Sequence, residues 1–137
     1  MQTATEALAR VEREANEKHV TEVRRVARME VGQVARQGDI YLHRVAKDHA
    51  KGRRIEERQL ARGVTTGSRH VADAPAKIYE GTTRPAWCRD GTLLGPVVES
   101  SRRVVVTHPE HAWLDLPAGC YQVTYQRDER TGAAVRD

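Results

Sequence analysis

Gln37-Gly38-Asp39-Ile40-Tyr41-Leu42-His43-Arg44-Val45 is the stretch on which the reading of the fold turns. A glycine between two polar residues marks a turn, and the six residues after it alternate and are rich in β-formers, as a half-buried strand requires. The chain beyond follows the same pattern. Short runs around 69–72, 76–80, 93–98, 102–108, 111–116 and 120–127 carry strand-type side chains, separated by Gly81, Gly91, Gly95-Pro96, Pro109 and Pro117-Ala118-Gly119 among others. Seven short strands at this spacing predict a small antiparallel β barrel or sandwich over residues 36–137.

Upstream of this stretch the period changes. Thr3 and Glu6 have the spacing of a capping box, Glu, Ala and Arg dominate, and no Gly or Pro stands before Gly32. Glu6 with Arg10, Arg13 with Glu17 and Glu14 with Lys18 sit four apart, each pair worth about 0.2–0.5 kcal/mol on a helix. The sequence therefore predicts a long charged helix from about residue 4 to 31, and an α+β fold: residues 1–35 an N-terminal helix, residues 36–137 the β domain. The apolar stripe of that helix is thin, with Leu8, Val11 and Ala15, then a polar gap, then Val20, Val23 and Ala27. At 1.5 Å per residue it would be a rod of about 42 Å, too long to bury on a domain whose radius of gyration is about 13 Å. The expected consequence is a homo-oligomer, or docking on a larger assembly, through this helix.

Composition limits the rest. The chain has 137 residues, enough for one domain. It has no Phe, and its six Tyr and Trp residues all lie after residue 40, so the core belongs to the C-terminal part. Apolar runs fall well short of the roughly 20 residues that cross a bilayer, and no secretory segment follows Met1. No membrane role and a cytoplasmic location are expected. Cys88 and Cys120 are too few for a disulfide scaffold and read as reduced thiols. The net charge of +4 is concentrated in residues 44–69, a basic loop where eight Lys and Arg face only Asp48, Glu56 and Glu57.

Chemistry could sit at two places. Thr107-His108-Pro109-Glu110-His111 joins two strand runs, and proline at the second place of a turn makes His108 and His111 its first and fourth residues, with Cα atoms within about 7 Å. His70 follows another glycine turn. Three imidazoles on a β scaffold with an open position would suit zinc or another divalent transition metal; with Glu110 the set would suit iron or manganese. The plain alternative is an exposed polar hairpin tip and a histidine bonded to backbone. The second place is the basic loop, where Arg53, Arg54 and Arg58 are candidate phosphate contacts. No aromatic stands between Tyr41 and Tyr79 to stack on bases, and no helix-turn-helix or zinc-finger pattern occurs, so nucleic acid is not the favoured partner. No nucleophile elbow, dinucleotide fingerprint or phosphate loop is present.

Gln37-Gly38-Asp39, Gly67-Ser68-Arg69-His70, His108-Pro109-Glu110-His111 and the run from Leu116 to Val123, ending in Gln126-Arg127-Asp128, resemble a family of small uncharacterised proteins from bacteria and their phages. The resemblance spans about residues 36–137. It implies that His70, His108 and His111 belong to a family pattern, in which an extra histidine often stands where this chain has Ser68. It implies no established activity. Two functions are therefore expected: a non-enzymatic assembly or accessory protein, phage-encoded in one version and then part of a virion, or a metal-dependent enzyme or metal-binding protein built on the three histidines.

Overall fold

Gly38, at φ 55°, and Asp39 close a hairpin whose strands pair Gln37 with Ile40 and Val34 with His43. The computed structural model describes residues 22–60, 70–89 and 91–126. Among these the chain forms β1 (Val23–Arg25), β2 (Val34–Gln37), β3 (Ile40–Val45), β4 (Arg54–Ile55), β5 (Val71–Ala72), β6 (Lys77–Tyr79), β7 (Leu93–Ser100), β8 (Val104–Thr107), β9 (Trp113–Leu116) and β10 (Gly119–Tyr125). They make a four-stranded sheet of order β1-β9-β8-β5 and a six-stranded sheet of order β2-β3-β10-β7-β6-β4. All pairings are antiparallel except β1 with β9.

The period of two in each strand assigns its faces. Ile40 and Leu42 of β3, Tyr121 and Val123 of β10, Val98 of β7 and Ile78 of β6 meet Val104 and Val106 of β8 and Leu114 and Leu116 of β9 in one buried cluster between the sheets. Each such side chain contributes about 1.5–3 kcal/mol by leaving water. The alternate residues Val45, Val97 and Cys120 lie on the outer face of the six-stranded sheet, where Ala50 and Tyr79 cover them. The register of β10 on β7 shifts between Gln122 and Thr124, opposite Gly95-Pro96. Proline has no N–H for the ladder, and here the Gln122 side-chain Nε2 donates to the Gly95 and Val123 carbonyls, both at 2.9 Å.

The predicted α+β class is overturned. The only helical element among the described residues is a 3-10 turn at Lys47–His49, and the fold is nearly all β. Residues 22–31, the end of the expected helix, form β1, a bend and the start of a turn instead. β1 pairs with β9, the Trp113 amide donates to the Glu22 carbonyl, and the Val26 amide donates to the Asp115 carbonyl. The reason is tertiary. Val23 packs on Trp113 and Val105, Val26 packs against the main core and Met29 enters it; these side chains gain more there than a solvated helix would return. Arg103 locks the arrangement, its guanidinium bonding Asp115 Oδ1 at 2.8 Å, the Asp115 carbonyl and the Val26 carbonyl. The capping box and the charge pairs before residue 22 lie outside the described residues. The sheets are open, so the barrel alternative is corrected as well. No helix among the described residues is long and apolar enough to cross a membrane.

Candidate functional site

Three segments converge at one end of the two sheets. The β2–β3 hairpin brings Gln37 and Asp39, the start of β5 brings His70, and the β8–β9 connection brings His108 and His111. The ring centroids of His70 and His108 are 4.5 Å apart, those of His108 and His111 4.4 Å, and those of His70 and His111 6.4 Å. His70 and His108 are buried and His111 is half-buried.

Hydrogen bonds show how the nitrogens are used. The Gln37 amide nitrogen donates to the carbonyls of Val106 and Ala112, both at 2.9 Å, which turns its oxygen toward His70 Nδ1, also at 2.9 Å. His70 Nδ1 must therefore be the donor. His70 Nε2 lies 2.6 Å from Asp39 Oδ1. Whether the shared proton sits on the imidazole or the carboxyl, the pair is neutral in sum, which suits side chains only 1% and 6% exposed. His108 Nδ1 accepts from the amides of Glu110 and His111, at 3.0 and 3.1 Å, closing the turn around Pro109. A neutral His108 then carries its proton on Nε2. Neither His70 nor His108 presents a lone pair to a metal in this arrangement. Among the described residues no three His, Cys, Asp or Glu side chains are placed to hold a metal ion.

The three candidate arginines are dispersed. Arg58 is half-buried and gives its guanidinium to the carbonyls of Ala72, Asp73 and Ala76, tying the crossing segment between the sheets. Arg53 is exposed and faces Glu80 at 3.5 Å. Arg54 is exposed and lies over the Tyr79 ring, 5.8 Å from its centroid.

A family model described as Domain of unknown function (DUF8820) matches residues 36–126. The chain belongs to this family. Searches of the curated proteins and of the solved structures match nothing. The DUF8820 stretch contains the whole histidine cluster and runs from the end of β2 to the end of β10, leaving β1 outside it.

Within the DUF8820 stretch, sequence reasoning missed three participants. Gln37 and Asp39 read as turn residues within the family pattern, with no part in the site; the signal was a polar Gln37 at an inward position of its strand. Trp87, 44% exposed, stacks on His43 with centroids 4.2 Å apart. His43 Nε2 also meets Thr124 Oγ1 at 2.9 Å. Burial lowers the His43 pKa from its ordinary 6.5.

Proposed function

We propose that the chain is a non-enzymatic accessory protein that acts by docking, in the cytoplasm or within a phage particle, and that the outer face of its six-stranded sheet is the docking face. The observation that carries this reading is Trp87. A large ring seated on His43 and left 44% exposed adjoins the edge strand β2, where Val34 and the preceding Val31 are 52% and 66% exposed. These are the exposed large apolar side chains among the described residues, and such grouping marks contact surfaces. The histidine cluster supports the same reading, because its hydrogen bonds join β2, β5 and the β8–β9 turn.

A second reading is favoured by the closeness of the three imidazoles: rearranged hydrogen bonds would let His70, His108 and His111 take zinc or another divalent transition metal. Elemental analysis of the purified protein separates the two. The docking reading expects substoichiometric metal, unchanged when His108 and His111 are both replaced by Ala. Stoichiometric metal that this variant loses would overturn it. Light scattering on the full chain then asks whether a second copy is the partner: a mass above the monomer that Trp87→Ser abolishes identifies self-docking, and a monomer identifies a different partner.

A further inference from the structure

The basic stretch 44–69 carries no aromatic of its own. The fold supplies the aromatics from neighbouring strands. By register, Arg54, Tyr79, Val97, Gln122, His43 and Val34 form one row across the outer face of the six-stranded sheet. Tyr41 lies on the same face, beside His43 and under the Arg36 guanidinium, which is 5.3 Å from its centroid. Tyr79 lies under Arg54 at the other end of the row. The positions of His43 and Tyr79 are three strand spacings apart, about 14 Å at roughly 4.8 Å each.

Two segments of the chain run over this face. Ala50 packs on Val45, Val97 and Cys120, and the Gly81 amide donates to the Lys51 carbonyl, joining the two segments. They present Lys47, Lys51, Arg84 and Arg89, all exposed, and Trp87 stands between the last two. Among the described residues the acidic groups on the face are Asp48, Glu80 and Glu99; Glu80 is paired with Arg53, and Lys77 stands beside Glu99 across the ladder. The balance is basic, and one Trp87 face is backed by His43.

We infer that this face binds single-stranded nucleic acid, with Trp87 stacking a base and Arg84 and Arg89 contacting the flanking phosphates. The inference rests on the docking reading and names its partner. Charge complementarity selects a polyanion. The exposed ring selects unstacked bases, because every base offers a π face and a duplex buries its own. The described residues contain no recognition helix for a major groove.

The test is fluorescence anisotropy with labelled oligothymidine and oligouridine of about 20 nucleotides, longer than the site of one β domain, alongside a duplex of equal length. Expected is saturable binding of a single strand at about 0.05 M salt that weakens steeply as salt rises. Binding of both strands, or of only one, supports the inference and tells whether the 2′-hydroxyl matters. Trp87→Ala, with its circular dichroism unchanged, should weaken binding about 5- to 100-fold. Arg84→Gln with Arg89→Gln should lower the log–log salt slope by about 1.4, at roughly 0.7 per phosphate on a single strand. No saturable binding at about 0.05 M salt would overturn the inference. So would equal affinity for the duplex with no effect of Trp87→Ala, or full competition by polyglutamate. If metal is absent and the oligomers do not bind, this inference alone falls; if stoichiometric metal is found, the docking reading falls first.

Discussion

His70 and His43 are both histidines on short β elements, yet the fold uses them in opposite ways. His70 sits between the turns with both ring nitrogens engaged by Gln37 and Asp39. His43 sits on the outer face, half-buried, with Trp87 stacked on it. Where every polar atom already has a protein partner, a ligand gains nothing by arriving. Where a side chain is covered by one exposed ring, the ring itself is the surface presented. Among the described residues the histidine cluster is thus tied into the frame by hydrogen bonds, and the proposed docking surface is built from residues with no catalytic signature.

The two tryptophans give the largest contrast. Trp113 is 1% exposed, packs on Val105 and Val23, and donates from its indole to the His108 carbonyl at 3.1 Å. Trp113→Ala should cost about 3–5 kcal/mol, because the cavity and the lost burial add. Trp87→Ala should stay within about 0.5 kcal/mol, as exposed positions usually do. Denaturant titration of both variants measures the difference. Equal losses would mean that Trp87 belongs to the frame, and the division into frame and surface would break.

Asp39→Asn tests the frame more finely, since Asn keeps the turn geometry and replaces only the carboxyl group that shares a proton with His70 Nε2. Breaking this buried pair should cost about 3 kcal/mol. For a domain of this size that is a fall in melting temperature of roughly 12 °C or more. The double variant with His70→Ala should lose less than the two single losses summed, because the residues share one interaction. Additive losses would show that the contact does not couple them.

Much of the β domain was legible because alternation is local. The strands β3 and β5 to β10 all fall on runs that the sequence marks, and Gly95-Pro96 marks the irregularity in β7. The missed strands have local causes. β4 is two residues long, β2 follows Gly32 at the boundary assigned to the helix, and β1 lies in a stretch whose local signals are those of a helix: Glu, Ala and Arg, with no Gly or Pro before Gly32. What overrode those signals was the unpaired edge of β9 and the buried position of Met29, both non-local. The site divides the same way. The turn around Pro109 places His108 beside His111, a four-residue matter, whereas the bond from His70 to Asp39 spans 31 residues and that from Gln37 to Val106 spans 69. No single strand shows that Trp87 will come to rest on His43.

The cysteines repeat the contrast chemically. Burial raises the Cys120 pKa from 9.0 to about 11, with Glu99 adding to the rise. Cys88 is half-buried and raised less, again by burial, with Arg84 opposing. At about pH 8 an alkylating reagent should modify Cys88 well before Cys120, since the thiolate is the reacting species. Peptide mass spectrometry reads the order. Because the folded pKa of Cys120 lies above the unfolded one, its contribution to stability is intact below 9.0 and declines as pH rises toward about 11. Simultaneous labelling in the native state would place Cys120 on an open surface.

The smallest effect belongs to His43. Its pKa is lowered by burial, so between the folded value and 6.5 the unfolded chain binds the proton that the folded chain refuses. Stability should therefore be highest above 6.5 and fall as pH drops below it, until His43 is forced to protonate in place. The imidazolium would then lie 4.2 Å from the Trp87 ring, and its charge should quench the indole emission. Trp113, buried in the other sheet, serves as the internal reference, and Trp87→Phe should remove the fluorescence titration while leaving Trp113 emission in place. His43→Gln should flatten both the fluorescence titration and part of the acid loss of stability. A titration that persists unchanged in His43→Gln would assign it to another group, and the stacked pair would no longer explain why this ring is held at the surface.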